Sequence, residues 1–168
     1  MFRQGDAVVH PARGVGVVER IIERQVNGAA ESYYKISLIG SMDTTLLIPV
    51  KAESRVGLRS ATNRSRLGQV WSRLRATPNE LPNEHKERYK LLEDKLQTGD
   101  VMDITEVVRD MSWRESQEGQ LKTVGKRIYQ RGLTLLSGEV AAALDVDPAN
   151  ALTQIRDILA ECQAPTAA

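Results

Sequence analysis

The chain has one cysteine, Cys162, among 168 residues. A single thiol cannot close an internal disulfide, and so little cysteine fits a reducing compartment, so a cytoplasmic location is expected. Histidine is equally scarce. His10 and His85 stand far apart and form no recognisable ligand set with Cys162, so neither a metal nor a cofactor is expected. The same scarcity leaves no Ser/His/Asp or Cys/His set to nominate. Paired carboxylates such as Glu93-Asp94 lie in a charge-rich stretch and read as a solvated helix face. The chain is therefore not expected to be an enzyme. Aromatic residues are few (Phe 1, Trp 2, Tyr 4), so any core is aliphatic. No run of about 18 apolar residues occurs, which argues against a membrane span. The N-terminus lacks the basic and apolar regions of a signal peptide.

The net charge of +1 is unevenly spread. Residues 1–62 carry 8 Lys/Arg against 6 Asp/Glu, residues 63–131 carry 14 against 11, and residues 132–168 carry 1 against 5. A mildly basic middle and an acidic tail do not make an obligate nucleic-acid binder. Any contact with nucleic acid is expected to be local and weak unless a partner supplies the rest.

The first sixty or so residues read as strands. Ala7–His10 is short and Val15–Gln25 is long, with apolar residues on both faces. Asn27-Gly28 is a hairpin signal, because both central positions of a type I′ turn need positive φ. Tyr33–Ile39 alternates, Thr44–Val50 is β-rich with Pro49 near its end, and Val56–Leu58 is expected to be a short closing strand. Five short strands of this kind suggest an SH3-like or Tudor-like barrel. Gly14-Val15-Gly16-Val17 lacks the third glycine and the Gly-Lys-Ser/Thr ending of a phosphate loop, and reads as a tight turn entering a strand.

From residue 63 the period changes. Leu67, Val70, Trp71 and Leu74 share one helix face. Pro78 and Pro82 mark a loop. Asn83 is placed to cap a second helix running to about Gln97. Gly99 ends it, and Asp100 caps a third helix with Val101, Ile104, Val107, Val108 and Met111 on its apolar side. A fourth helix is expected over 123–144, weakened by Gly125, Gly132 and Gly138. Asp147-Pro148 starts a fifth. The predicted architecture is β plus all-α in two small domains. Residues 1–62 form the five-stranded barrel, residues 63–163 form a bundle of about five helices, and 164–168 form a frayed tail.

Two features point to binding. Thr44-Thr45-Leu46-Leu47-Ile48-Pro49 reads either as an edge strand able to accept a strand from another protein or as ordinary barrel core. Basic residues also recur at helical spacing: Lys86 and Lys90 follow a helix start whose free N–H groups would suit phosphate, and Lys122, Lys126, Arg127 and Arg131 form a second run. The two runs read either as one patch or as scattered solvated surface.

Several landmarks, in order, resemble the CarD family of bacterial transcription factors that bind RNA polymerase. They include Gly5-Asp6, His10-Pro11, Asn27-Gly28, Ile48-Pro49-Val50, Val56-Gly57-Leu58-Arg59, Arg88-Tyr89-Lys90, Thr98-Gly99-Asp100-Val101 and Glu106-Val107-Val108-Arg109-Asp110. The likeness extends to about residue 145. Its helical half separates the chain from transcription-repair coupling factors, which share only the β module. The resemblance implies a Tudor-like domain that pairs through an edge strand with the polymerase β subunit. It also implies a helical domain that touches promoter DNA at the upstream edge of the melted bubble and prolongs the open complex. Carried over by position, the docking edge is Thr44, Thr45, Leu46, Leu47, Ile48 and Pro49, with Arg24 on the neighbouring strand. The DNA-side residues are His85, Lys86, Lys90, Lys122, Lys126 and Arg127. Three positions depart from the family pattern. His85 stands where many members carry a wedge tryptophan, Leu47 where many carry a basic residue, and Lys122 and Gly125 where a Ser…Glu capping pair is usual.

The reading is a non-enzymatic transcription regulator in the cytoplasm, associated with the nucleoid through RNA polymerase. It would have no small-molecule substrate or membrane partner, and its DNA contact would be weak and not sequence-specific. The rival is an adaptor that binds polymerase or another protein and ignores DNA. A nucleotide-dependent enzyme is a distant third.

Overall fold

Strands β1 (Ala7–His10), β2 (Gly14–Val26), β3 (Ala29–Leu38), β4 (Thr45–Pro49) and β5 (Arg59–Ser60) form one antiparallel sheet in the order β4-β3-β2-β1-β5. The computed structural model describes residues 1–163, so the frayed tail expected at 164–168 lies outside the described residues. The Asn27-Gly28 turn joins β2 and β3, with φ of 51° and 81° at its two central residues, as a type I′ turn requires. β2 serves two partners: its start pairs with β1, and nearly its whole length pairs with β3. A register shift between Val18 and Arg20 bends it. Gly16 sits where β2 and β3 press together, since a Cβ there would lie 2.5 Å from Ile36 Cγ2 and 2.7 Å from the Ser37 carbonyl oxygen. Gly16 thus serves backbone packing, while Gly14, with φ of 88°, turns the chain into β2.

The inner face buries Val8, Val18, Tyr34, Ile36, Ile48 and Leu58. Tyr34 carries the one polar group in that set, and it is used twice. Its hydroxyl accepts from the Phe2 N–H at 3.0 Å and donates to Glu53 at 2.6 Å, tying both the N-terminus and the segment after β4 to the sheet. Burial first, and then the Glu53 bond, raise the Tyr34 pKa against the opposing Phe2 N–H.

The closing strand expected at Val56–Leu58 is not there. After a 3-10 turn (Val50–Ala52), residues Glu53–Val56 form a short helix, α1, which Gly57 ends with φ of 76°. Strand pairing resumes at Arg59–Ser60, against Val8 and Val9. Val56 and Leu58 have strand-like side chains, but the left-handed glycine between them turns the chain.

The chain divides into two units, Met1–Ala61 and a second beginning at Thr62. The second holds five helices: α2 (Arg64–Arg75), α3 (His85–Thr98), α4 (Val101–Glu118), α5 (Thr123–Leu144) and α6 (Pro148–Gln163). Their common core takes Leu67, Val70 and Leu74 from α2, Leu92 and Leu96 from α3, and the predicted apolar side of α4. Ile128, Leu136 and Val140 of α5 and Ile155 and Leu159 of α6 complete it. Local capping explains most of the boundaries. Asn63 caps α2, Gly99 closes α3, Asp100 accepts from the Met102 and Asp103 N–H groups, and Asp147 accepts from Ala149. The expected cap at Asn83 is displaced by one residue: Glu84 caps α3, accepting from the Glu87 N–H at 2.9 Å.

Candidate functional site: a sheet edge and a basic helical groove

β4 is an edge of the sheet, with β3 as its partner. The Leu38 N–H donates to Thr44 O at 3.1 Å. Tyr33 stands opposite Pro49 and Lys35 opposite Leu47. The alternation of an antiparallel ladder then directs the backbone groups of Thr44, Leu46 and Ile48 toward β3 and those of Thr45, Leu47 and Pro49 outward. Pro49 falls where a missing N–H costs no ladder bond. Burial alternates in step: Ile48 is buried, whereas Thr45 and Leu47 are exposed. The edge therefore offers outward N–H groups at Thr45 and Leu47 and outward carbonyls at Thr45, Leu47 and Pro49.

Arg24 does not lie on the neighbouring strand. It is on β2, opposite Glu31, with β3 between it and β4. It shares a sheet face with Leu47 and Pro49 through the cross-strand rows Arg20–Lys35–Leu47 and Ile22–Tyr33–Pro49. Of the acidic residues on this face, Glu31 is held by Tyr33 at 2.8 Å and by Lys51, and Glu19 by Lys35 at 2.8 Å and by Ser37. Each carboxyl is lowered from its usual pKa by these partners, foremost Lys51 for Glu31 and Lys35 for Glu19.

In the helical unit, α3 and α5 lie side by side and run in the same direction. A Cβ on Gly125 would stand 3.6 Å from Tyr89 Cε1, and a Cβ on Gly132 would stand 3.8 Å from Leu96 Cδ2. Two glycines that weaken α5 as an isolated helix thus let it approach α3 and α4. Both N-termini consequently face the same end of the unit. His85 and Lys86 stand on the first turn of α3, and Lys122 and Lys126 stand at the start of α5. All four are exposed. The His85 ring meets Tyr89 edge-on, with centroids 6.3 Å apart, and its Nδ1 lies 3.6 Å from Glu84.

The free N–H groups expected at the start of α3 are taken. The Glu84 carboxylate accepts from the Glu87 and Lys86 N–H groups, which lower its pKa in that order. The start of α5 is the open one. Lys122 occupies the N-cap position with no side-chain cap, and the first turn holds no acidic residue. Lys90 is also partly spoken for, with Asp94 2.8 Å away. Arg127 lines a groove of about 310 Å³ with Arg131, Ile128 and α3's Glu93, Leu96 and Gln97. Lys126 is about 100° further round α5 at 3.6 residues per turn, so it belongs with Lys122 on the other flank.

The landmark residues of the helical half do a different job. Arg88 is buried and donates to the carbonyls of Pro82 and Asn83 at 3.1 and 3.0 Å. Asp110 accepts from the Asn79 N–H at 3.0 Å and from Arg109 Nε at 2.8 Å. Glu106 accepts from Lys95 at 2.6 Å and from Arg73. Burial opposes ionisation of Glu106, but Lys95 and Arg73 outweigh it and hold the carboxyl below its usual range. Together these side chains fix the proline loop between α2 and α3, and with it the start of α3. Apart from Arg109, next to Asp110 in α4, their partners lie outside their own helices, so no local pattern marks them for this role. Among the described residues, no group of three or more His, Cys, Asp or Glu could hold a metal ion, and no helix is long and apolar enough to cross a membrane.

The chain thus sets a sheet with β4 at one edge before a helical bundle with exposed cations at one end. Residues 2–60 match the CarD-like/TRCF RID domain, and residues 69–156 match the CarD C-terminal domain. The chain belongs to the CarD family, whose members are transcription factors and not enzymes. Its first unit is the Tudor-like, RNA polymerase-interacting module of that family. "Putative transcription factor YdeB" of Bacillus subtilis (strain 168) is 29% identical over 140 residues, covering 83% of this chain and 90% of that protein.

Proposed function

We propose that this transcription factor docks on the β subunit of RNA polymerase by adding its β4 edge to a strand of that subunit. Its helical unit then touches promoter DNA at the upstream edge of the bubble and prolongs the open complex. The observation that carries the docking half is the run of outward backbone groups at Thr45, Leu47 and Pro49, with Leu47 exposed beside them. Thr44, Leu46 and Ile48 support the edge from within, and Arg24 offers a cation on the same sheet face. What supports the DNA half is the common orientation of α3 and α5, which gathers His85, Lys86, Lys122 and Lys126 at one end, with Lys90 and Arg127 one to two turns further along. Phosphate contact is assigned to the open start of α5 rather than to α3, where Glu84 already fills the N-terminus.

The test is charge reversal of Lys86, Lys90, Lys126 and Arg127 to Glu in the full chain. Polymerase binding should persist while open-complex lifetime drops to that of polymerase alone. A quadruple variant that still prolongs the open complex supports the adaptor reading instead.

A further inference from the structure

A second cleft, of about 300 Å³, opens between the end of α2, the side of α4 and the end of α6. None of the residues assigned to polymerase or DNA lines it. Leu74 and Leu159, both buried, line it together with Pro78 and Trp113. Trp113 is 43% exposed, an indole left open to water beside buried leucines. Such a surface offers an apolar body a large area to cover.

The polar groups of the cleft are two guanidiniums. Arg109 lines it and is 5% exposed. An arginine carries five N–H donors in a fixed fork. Here Nε donates to Asp110 at 2.8 Å and Nη1 to the Arg73 carbonyl at 3.3 Å, but Nη2 has no hydrogen-bond partner among the described residues. A buried donor without an acceptor is costly, and an oxygen brought in by a ligand would relieve it. Arg75 stands at the same cleft, and its carboxylate partner, Glu161, is 4.0 Å away with both side chains largely exposed. So loose a pair yields readily to another anion.

We infer that this cleft binds a small carboxylic acid whose apolar body is about the size of one aromatic ring. The body lies against Trp113, Leu74 and Leu159, and the carboxylate takes the donors of Arg109 and Arg75. Planar guanidiniums suit a carboxylate better than a neutral carbonyl, because the hydrogen bonds are charge-assisted. The volume, at the small end for ligand sites, limits the body to about one ring. The site is independent of the polymerase and DNA contacts proposed above.

The test titrates the full chain with hydrocinnamate, beside its neutral counterpart hydrocinnamamide. Two signals report from the cleft. One is the Trp113 indole N–H resonance, assigned with Trp113→Phe. The other is the rate at which iodoacetamide alkylates Cys162, the single thiol, which is exposed and lines the cleft. Hydrocinnamate should shift the Trp113 resonance with half-saturation at roughly millimolar concentration, as befits so small a molecule. It should slow alkylation severalfold, and the amide should bind at least about fivefold more weakly. Trp113→Ala should abolish the protection of Cys162, and Arg75→Gln should erase most of the preference for the acid. Both positions are exposed, so melting curves should match the parent. Arg109→Lys keeps the charge but loses the fork, and should also weaken the acid; if it fails to fold, the two exposed positions decide. Equal binding of acid and amide would overturn the carboxylate assignment. Protection of Cys162 that survives Trp113→Ala, or no shift and no protection at about 10 mM, would overturn the cleft as a ligand site. Polymerase docking and DNA binding would stand in either case.

Discussion

Lys122 joins a proposed phosphate contact to a missing helix cap. It occupies an N-cap position where Ser, Thr, Asp or Asn would satisfy an orphan N–H, and it leaves the start of α5 uncapped. Lys122→Asp should stabilise the helical unit by about 1 kcal/mol, by supplying the missing acceptor and a favourable charge on the helix dipole. The same change should weaken duplex binding, because it removes a cation and fills the helix end that a phosphate would use. Thermal unfolding and fluorescence anisotropy on one variant read both signs, and a stabilised variant with undiminished binding would remove α5's N-terminus from the interface. Asp110 is the opposite case, a residue whose role is structural. Asp110→Ala should cost about 3 kcal/mol in denaturant unfolding, since it strands the buried Arg109 charge and the Asn79 N–H together. Glu106 gives this loop a pH dependence. Its carboxyl is held below the usual range, so its stabilisation is complete above the unfolded value of about 4.3 and is lost as pH falls through the lower folded one. The unfolding midpoint should decline in acid below about pH 4.5, and Glu106→Gln should flatten that decline.

At the scale of elements, what could be read from the chain was local. Asn27-Gly28, Gly99-Asp100 and Asp147-Pro148 announce their turns and caps through residues next to one another, and the structure has each of them. Pro49 pointed to an edge for a reason that also holds in three dimensions, the absence of a ladder donor. Where the structure departs, the reason is in part local: Val56–Leu58 has strand-like side chains, yet α1 runs to Val56 and Gly57, with φ of 76°, turns the chain before pairing resumes at Arg59. The roles of Arg88, Glu106 and Asp110 were invisible, because their partners, Arg109 apart, lie outside their own helices. So was the place of Arg131, which depends on α5 running parallel to α3. The edge itself makes a sharp prediction. Leu47→Pro removes an outward N–H while leaving the bonds of Leu46 and Ile48 to β3 intact, so the first unit should stay folded while polymerase affinity falls at least tenfold. A folded variant, judged by NMR, that binds polymerase as before would mean that β4 is not the docking strand.

The whole molecule joins an RNA polymerase-interacting module to a helical unit that is close to neutral overall but carries exposed cations at one end, with the boundary at Ala61–Thr62. With a net charge of +1, the free protein should bind duplex DNA only in the range of about 10⁻⁴ to 10⁻⁶ M, and steeply less as salt rises. In the proposed function, docking of the first unit on polymerase brings the second to promoter DNA at a high effective concentration, so that weak contacts suffice. In the proposed function one molecule holds both partners at once, and site-specific photo-crosslinking within the open complex reads both contacts together. A photoreactive residue at Thr45 should capture the polymerase β subunit, and one at Lys86 or Lys126 should capture upstream promoter DNA. Capture of β from Thr45 together with only protein, or nothing, from Lys86 and Lys126 would contradict the account.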